Sequence, residues 1–353
     1  MEREYYLTLA RSGLRMPIGA DLVVREQEDP DAVLTDGVRL GRVLEETARR
    51  FRTPLAVPHM DLELEKKDLL RAIGVPEAAA STFHFASCPD AKLFAKAEDG
   101  LRGAPSVRLQ AAADAIRYIA RHTDLLPIGM CIGPFSLMTK LLADPITPVF
   151  LAGMGTTAED DDEVRRMEGV LELGMRAIEH SITVQVEAGA RMIFIAAPAA
   201  NTVYLSPKQM AAGSDAFERY VMRYNRRVKE LLDRHGVDLF FHCCGELTDA
   251  MVAQFASLDP AILSLGSSRR LWEDAALVPK NVVLFGNLPS KQFYSDALIT
   301  AEDVVARAAE LTARMHQAGH PFILGTECDV LSVPDCHATI LRKVMALIEG
   351  AAT

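Results

Sequence analysis

The chain is best understood from the segment Phe240-Phe241-His242-Cys243-Cys244-Gly245. This segment completes an apolar and aromatic run that begins at Val237, which is typical of a buried strand opening into a loop. Because side chains alternate between the faces of a strand, His242 and Cys244 are expected to project one way and Cys243 the other. A second buried run, Pro321–Gly325, leads to Cys328 at its own C-terminal end.

Together these side chains predict a metal centre with the ligands His242, Cys244 and Cys328. One imidazole and two thiolates suit zinc, and three protein ligands leave a fourth position free, as in catalytic zinc sites. The pair Cys336-His337 competes as a source of the third ligand, but Pro334 before it favours the first turn of a helix that points away. We expect Cys88 and Cys131 to be packing residues and Cys243 to face the outer layer.

Eight short apolar runs, separated by helical sequence, predict an α/β fold, a single (β/α)8 TIM barrel. An N-terminal helical extension over Glu2–Ser12 and inserted helices within residues 74–105 accompany it, and one domain covers residues 1–353. A long helix is expected from Ser206-Pro207 to about Arg234, and the last helix from Pro334. The predicted strands are Pro17–Val23, Pro54–His59, Leu126–Cys131, Ala190–Ala196, Val237–Phe241, Pro260–Gly266, Asn281–Asn287 and Pro321–Gly325.

Polar residues at the predicted strand ends are candidates for contact with a substrate, because barrel chemistry lies where loops leave the strands. Asp21 and His59 follow the first two strands, and Asn287 follows the seventh, where its amide would orient a substrate oxygen. The carboxylates that flank the ligands are candidates to contact them or to act as a temporary fourth ligand, against the alternative that they are ordinary solvated carboxylates of surface loops, and Glu327 is also a candidate catalytic residue. These carboxylates are Glu246, Glu327 and Asp329.

The bulk properties exclude several classes of function. A net charge of −10 argues against a nucleic-acid surface, and the sequence has no apolar run long enough to span a bilayer. Six cysteines in 353 residues are too sparse for a disulfide scaffold, which favours a reducing compartment. The N-terminus lacks the layout of a signal peptide, so we expect a cytoplasmic protein with no membrane partner, and a homo-oligomer is compatible with these features.

Several motifs follow one another along the chain. They are Gly133-Pro134-Phe135, Leu205-Ser206-Pro207 with Tyr220 and Tyr224, His242-Cys243-Cys244-Gly245, Phe285-Gly286-Asn287 and Gly325-Thr326-Glu327-Cys328-Asp329-Val330. In this order they resemble the uroporphyrinogen decarboxylase superfamily, and within it the zinc-dependent, corrinoid-linked methyltransferases typified by methylcobamide:coenzyme M methyltransferases. The arginine-rich N-terminal signature of the decarboxylases is not reproduced at residues 15–21, and the sequence reads Ala196-Ala197-Pro198 and Gly266-Ser267-Ser268 where many relatives carry an acid.

The resemblance implies a zinc-dependent methyltransferase that moves a methyl group between a corrinoid (cobalamin) protein and a small thiol or a methoxylated or methylated substrate, as in O-demethylation and one-carbon metabolism. No corrinoid-binding Asp-x-His-x-x-Gly motif is present, since Asp233-Arg234-His235-Gly236 has a different spacing. The corrinoid is therefore expected on a partner protein. Two alternatives stay open: a metal-independent decarboxylase of the uroporphyrinogen decarboxylase type, and a non-enzymatic binding protein clamped by zinc.

Overall fold

The computed structural model describes residues 3–350, and eight parallel strands form its central sheet. The strands are β1 (Arg15–Ile18), β2 (Leu55–Ala56), β3 (Leu126–Ile132), β4 (Met192–Ala196), β5 (Asp238–Cys243), β6 (Ile262–Leu265), β7 (Val283–Leu288) and β8 (Phe322–Asp329). Their hydrogen-bonded order is β1, β8, β7, β6, β5, β4, β3, β2, so the strands follow the predicted (β/α)8 barrel.

Helices surround the sheet. A π-helical turn, Glu218–Met222, precedes the helix Arg223–Arg234, and a 3₁₀ turn, Ser290–Gln292, follows β7. The α-helices are α1 (Arg3–Arg11), α2 (Ala20–Arg25), α3 (Pro30–Val33), α4 (Gly37–Arg50), α5 (Leu64–Ala72), α6 (Glu77–Ala80), α7 (Ala91–Arg102), α8 (Val107–His122), α9 (Pro134–Leu141), α10 (Ile146–Gly153), α11 (Asp162–Glu187), α12 (Pro207–Ala211), α13 (Arg223–Arg234), α14 (Asp249–Ala256), α15 (Leu271–Asp274), α16 (Ala301–Ala318) and α17 (His337–Glu349). No helix within residues 3–350 has both the length and the apolar character needed to cross a bilayer.

The barrel interior is an apolar cluster in which aromatic rings pack at steep angles to each other. The ring centroids of Phe194 and Phe240 are 4.5 Å apart, and those of Phe240 and Phe285 are 5.5 Å apart. β1 and β2 stand at the two ends of the hydrogen-bonded order, but interior packing continues across them, because Thr53 before β2 contacts the Met16 sulfur of β1 at 3.3 Å. A second and larger core lies between the sheet and the helices.

The predicted N-terminal extension is the helix α1. Its Tyr6 is fully buried within the interior cluster and donates a hydrogen bond to the Asp238 carboxylate at 2.7 Å. The predicted first residue of this helix, Glu2, lies outside the described residues, as do the ends of the single domain predicted over residues 1–353. That domain assignment stays a prediction. The inserted helices expected within residues 74–105 are confirmed as α6 and α7.

The first predicted strand is partly wrong. Only residues 15–18 are extended, and the run that contains Asp21 and Val23 forms the buried helix α2 instead. A short apolar segment buried on every side has no periodicity that separates a strand from a helix. Asp21 therefore lies in the first turn of a helix rather than near a strand end. The predicted second strand shrinks in the same way to the two residues of β2.

Two helix boundaries and one strand end also differ from prediction. The helix expected over residues 206–234 is broken after α12, where Gly213 adopts a left-handed conformation with φ of 92° that ends the first piece. The last helix begins at His337 and not at Pro334, because Asp335 is also left-handed, with φ of 62°. β8 continues beyond Gly325 to Asp329, so Cys328 stands on the strand itself.

Candidate metal centre

His242 stands near the end of β5 and is held by the neighbouring strand. The pairing of β5 with β6 places Ser264 beside it in register, and Ser264 Oγ lies 2.8 Å from His242 Nδ1. The side chain is 1% exposed, and Nε2 has no hydrogen-bond partner within residues 3–350. A buried polar atom without a partner is costly. Nε2 is therefore the atom that a metal ion would satisfy.

The two cysteines complete the group. Cys244 follows β5 directly, Cys328 stands on β8, and both thiols are half-buried. One ligand atom from each of His242, Cys244 and Cys328 lies within 4.8 Å of the other two. β5 and β8 are separated in the sheet by β6 and β7, so the ligands converge from different parts of the barrel mouth, the end at which the C-termini of the strands lie.

The two thiols influence each other strongly. A hydrogen bond from Cys328 lowers the pKa of the Cys244 thiol well below its ordinary value, with burial opposing and His242 and Lys291 adding to the effect. The same hydrogen bond and burial raise the pKa of Cys328 far above its ordinary value. One thiolate is thus stabilised at the site before any ion binds, which is the state of a cysteine that coordinates a metal.

This donor set fits zinc on three counts. An imidazole nitrogen and two sulfurs are the preferred donors of zinc, the imidazole has its other nitrogen held by a hydroxyl, and the three donors leave room for a fourth. Gly266 permits the close approach of β6 to the ligand loop, because a Cβ there would lie 2.6 Å from the Cys244 carbonyl oxygen. Any larger residue at this position would displace Cys244.

The flanking carboxylates have different surroundings. Glu327 is buried and accepts hydrogen bonds from the backbone nitrogen and the hydroxyl of Ser267, at 3.1 and 2.6 Å, so it ties β8 to the loop after β6. Asp329 is also buried, yet neither of its oxygens has a hydrogen-bond partner within residues 3–350, and burial raises its pKa to about 7. Glu246 is exposed. Glu327 and Asp329 are thus the two buried carboxylates of β8, one on either side of Cys328 in the chain.

Asp21 and His59 form a pair. His59 Nε2 lies 3.3 Å from one Asp21 oxygen, and the Ser332 backbone nitrogen donates to the other at 2.8 Å. Burial alone would raise the pKa of Asp21, but these hydrogen bonds outweigh it and lower the pKa. The charges of both residues act on the pKa of Asp329, the residue that follows Cys328 in the chain.

Asn287 lies at the mouth on β7, and both hydrogens of its amide are already used. Asn287 Nδ2 donates to the backbone oxygens of Gly266 and Arg269 at 2.8 and 2.9 Å. The side chain is 8% exposed. It fixes the loop after β6, whose first residue is the glycine that contacts Cys244, so its contact with a substrate stays a prediction.

The sequence analysis did not identify two residues that lie beside the candidate site. Ser264 holds the ligand histidine, and Lys291, in the turn after β7, brings its ammonium to 4.0 Å from Glu327 Oε2. Burial lowers the pKa of Lys291, but the charges of Cys244 and Glu327 outweigh it and raise the pKa. Strand alternation could have found Ser264, since a polar residue interrupts a buried apolar run; no motif marked Lys291.

The remaining cysteines lie apart from this group. Cys243 is buried in the core between sheet and helices, as expected, and Cys131 is buried. Cys88 is exposed, so its prediction as a packing residue is wrong; its thiol contacts the surface of α11 through the Arg165 carbonyl oxygen at 3.5 Å. Cys336 precedes α17, and the adjacent His337 pairs with Glu26 at 2.7 Å.

Comparison with known proteins supports the same family. A solved structure of a methyltransferase from Methanosarcina mazei aligns with a TM-score of 0.67 over 98% of each chain at 16% sequence identity, which shows a shared fold. A 3-keto-D-glucoside 4-epimerase from E. coli aligns over 63% of this chain and 98% of its own, at 13% identity and a TM-score of only 0.33. No protein with a curated description matches the sequence significantly. The model of the uroporphyrinogen decarboxylase (URO-D) family matches residues 74–349, and the chain therefore belongs to that family.

Proposed function

We propose that this protein is a zinc-dependent methyltransferase that moves a methyl group between a corrinoid-carrying partner protein and a small thiol or a methoxylated or methylated substrate. The observation that carries the proposal is the convergence of His242, Cys244 and Cys328 within 4.8 Å at the mouth of a barrel of this family. The methyltransferase described for Methanosarcina mazei has the same fold, which is compatible with this chemistry.

Each ligand residue has a defined task in this proposal. His242 Nε2 and the sulfurs of Cys244 and Cys328 would hold the ion, and Ser264 would keep the imidazole oriented. Zinc bound there supplies a Lewis acid that lowers the pKa of a thiol or polarises the oxygen of a methyl ether. Asp21, His59 and Asn287 are assigned to substrate contact, and Glu327 to positioning Cys328 through the Ser267 loop.

A set of exposed apolar side chains, called the rim, is compatible with a protein partner. These side chains are 43–67% exposed, and each belongs to a segment that follows the C-terminal end of β3, β4, β7 or β8 in the sequence. Exposed apolar side chains mark a protein-binding surface where they form one patch. We assign this rim to the corrinoid protein, and the whole complex to the cytoplasm. The rim consists of Ile146, Phe150, Met154, Val203, Tyr294, Leu298 and Leu331.

The test starts with metal analysis of the purified chain, followed by incubation with methylcobalamin and a panel of thiols and methoxylated aromatics. We expect one bound zinc and a zinc-dependent change in the corrinoid absorption spectrum. Cys244→Ser is expected to lose both, while Cys88→Ser, which alters an exposed cysteine, is expected to keep both. A corrinoid spectrum that never responds to any of these compounds would count against methyl transfer.

The same samples distinguish the two alternatives. A decarboxylase of the URO-D type predicts that chelation leaves activity on a carboxylated substrate intact. A zinc-clamped binding protein predicts that His242→Ala unfolds the chain, whereas a site at a barrel mouth is expected to lose metal and keep most of its stability. Circular dichroism of His242→Ala with and without zinc separates these outcomes.

A further inference from the structure

The helix α17 carries a lysine whose charge is fully buried. Lys343 is 0% exposed. Taking an ammonium group out of water is costly unless the protein supplies compensating contacts. Lys343 has two such contacts, because its Nζ donates to the Phe293 carbonyl oxygen at 2.9 Å and lies 2.9 Å from a carboxylate oxygen of Asp296. Both contacts join α17 to the chain that follows β7.

Phe293 and Asp296 belong to the segment between β7 and α16, residues 289–300, which we call the β7–α16 segment. Apart from the 3₁₀ turn Ser290–Gln292, this segment is irregular. Its own hydrogen bonds are local, such as the one from Phe293 N to Ser290 O at 3.1 Å, so they fix its shape but not its place. The buried Phe293 and Ile299 anchor it by apolar contact, which has no preferred direction. Lys343 adds directed contacts.

The other end of the β7–α16 segment touches the strand that carries Cys328. Ser290 Oγ donates to the Cys328 carbonyl oxygen at 3.2 Å, and the Lys291 backbone nitrogen donates to a Glu327 carboxylate oxygen at 3.4 Å. Lys291 Nζ lies 4.0 Å from the second oxygen of Glu327. Two consecutive residues of the segment therefore hold two consecutive residues at the end of β8.

Cys328 needs such support because the strand ladder does not reach it. In the described chain, the pairing of β8 with β7 ends at Leu288 and Thr326, and the pairing with β1 passes from Gly325 directly to Asp329. This shift in register makes β8 bulge here, and a bulge re-aims the side chains that it contains. The sheet therefore leaves the position of Cys328 open, and the contact from Ser290 restricts it.

A continuous path of hydrogen bonds joins Lys343 to Cys328. Lys343 binds the carbonyl oxygen of Phe293, Phe293 N binds the carbonyl oxygen of Ser290, and Ser290 Oγ binds the carbonyl oxygen of Cys328. The chain itself closes the path, because α17 follows β8 through residues 330–336. An apolar side chain at position 343 would fill the same space without fixing Phe293.

We propose that Lys343 is a positioning residue of the candidate metal centre, which acts through the β7–α16 segment to hold Cys328 close to His242 and Cys244. The inference rests on the proposed function for the role of zinc, but its physical content is the path from Lys343 to Cys328. If Lys343 only stabilised the fold, its replacement would leave the geometry of the three ligands unchanged.

The first test compares two replacements on α17. Lys343→Met keeps an unbranched side chain that tolerates burial and removes both contacts. Arg342→Met is the matched control, because Arg342 lies 2.6 Å from the same Asp296 carboxylate but is 55% exposed. Competition with a coloured chelator should show a zinc dissociation constant about tenfold higher in Lys343→Met and unchanged in Arg342→Met. A Lys343→Met protein that is less stable but binds zinc like the parent overturns the proposal.

The second test addresses the path. Ser290→Ala removes its last contact and is expected to weaken zinc binding by a similar factor. Because both residues act on Cys328 through one path, the double variant is expected to bind zinc no more weakly than the weaker of the two single variants. Additive effects overturn the path. Ser290→Ala also covers the case in which Lys343→Met does not fold, since parental zinc affinity in Ser290→Ala overturns the proposal by itself.

A third measurement needs no zinc. Iodoacetamide alkylates the zinc-free protein, the cysteine sulfur displaces iodide and forms a thioether, and mass spectrometry follows Cys328 and Cys244 separately. Lys343→Met is expected to raise the rate at Cys328 relative to Cys244 severalfold, because the end of β8 is released, and Arg342→Met is expected to keep the parental ratio. An unchanged ratio in Lys343→Met overturns the proposal.

These outcomes separate the proposal from the proposed function. A parent chain that binds no zinc refutes the zinc-dependent methyltransferase, while the alkylation ratio still decides whether Lys343 positions Cys328. A parent chain that binds zinc, with a Lys343→Met variant that matches it in both measurements, refutes the positioning role and leaves methyl transfer standing.

Discussion

Ser264 Oγ lies 2.8 Å from Nδ1 of His242, and the two residues are paired in register on neighbouring strands. The hydroxyl occupies one ring nitrogen and so presents the other towards the two cysteines; this second nitrogen is buried without a hydrogen-bond partner in the described part of the chain. A histidine that binds a metal is oriented in this way by a hydrogen bond to its second nitrogen. The pairing of β5 with β6 thus fixes the orientation of His242 in the candidate site.

Removing this contact should weaken zinc binding without removing a ligand. Ser264→Ala is expected to raise the zinc dissociation constant about 10–100-fold, as for other residues that orient metal ligands. Competition with a coloured chelator measures it. Ser257→Ala, which removes a hydroxyl from an exposed position at the end of α14, is the control. Equal affinities in the two variants would refute the orienting role of Ser264.

Cys328, the third candidate ligand, can be tested directly against Cys336, which competes with it in the sequence. Cys328→Ser is expected to abolish stoichiometric zinc binding, because oxygen replaces one of two thiolates that favour zinc. Cys336→Ser is expected to bind zinc like the parent, since Cys336 precedes α17 and lies outside the ligand group. Zinc content after dialysis decides between them, and the reverse result would move the site to Cys336.

Replacement of Asn287 is expected to lower the stability of the fold before it affects contact with a substrate. In Asn287→Asp a carboxylate would face the backbone oxygens of Gly266 and Arg269 with no hydrogens to donate. The expected loss is roughly 2–4 kcal/mol in the free energy of unfolding, measured by urea denaturation. Asn281→Asp, at an exposed site before β7, should lose much less. A variant with normal stability and a raised KM would instead favour direct contact with substrate.

Lys291 is expected to set the pH range of zinc binding. Its charge helps to lower the pKa of Cys244, so Lys291→Met should raise that pKa and make zinc compete with protons up to a higher pH. The midpoint of zinc binding on a pH titration should therefore move upward. Lys291→Arg keeps the charge and should stay near the parent midpoint. A midpoint that follows side-chain size rather than charge would contradict this.

Glu65 in α5 gives a pH-dependent stability that is independent of the metal. Burial raises its pKa from 4.5 to about 7, against a hydrogen bond from the Ser181 hydroxyl at 2.7 Å. Because the folded state holds the proton more tightly, the favourable contribution is complete below pH 4.5 and is lost as pH rises through about 7.

Glu65→Gln removes this dependence. As the pH rises from 4.5 to about 7, the free energy of unfolding of the parent should fall by about 3 kcal/mol more than that of Glu65→Gln. Urea denaturation at several pH values measures the difference. Glu77→Gln at an exposed position of α6 is the control and should follow the parent. A constant difference between Glu65→Gln and the parent at all pH values would show that Glu65 does not titrate there.

Hydrophobic periodicity predicted the secondary structure correctly wherever a segment was long or alternated clearly between apolar and polar residues. The eight parallel strands appear in the predicted order. Thr300 caps the long helix α16, with Asp303 completing the capping box. Short segments buried on every side were the exception. The run after Ile18 turned into a helix, and the second strand kept only Leu55 and Ala56, because local pattern alone does not distinguish these states.

Local sequence pattern was enough to predict the barrel, the three candidate ligands and the opposite sides of the strand from which His242 and Cys243 project. These follow from the period of two along a strand and from hydrophobic burial, which are local properties. The packing of distant segments was needed to reveal that Ser264 holds His242 and that Asn287 and Glu327 bind loops. Those relations join residues distant in the chain, and they depend on strand register and packing, which no single segment encodes.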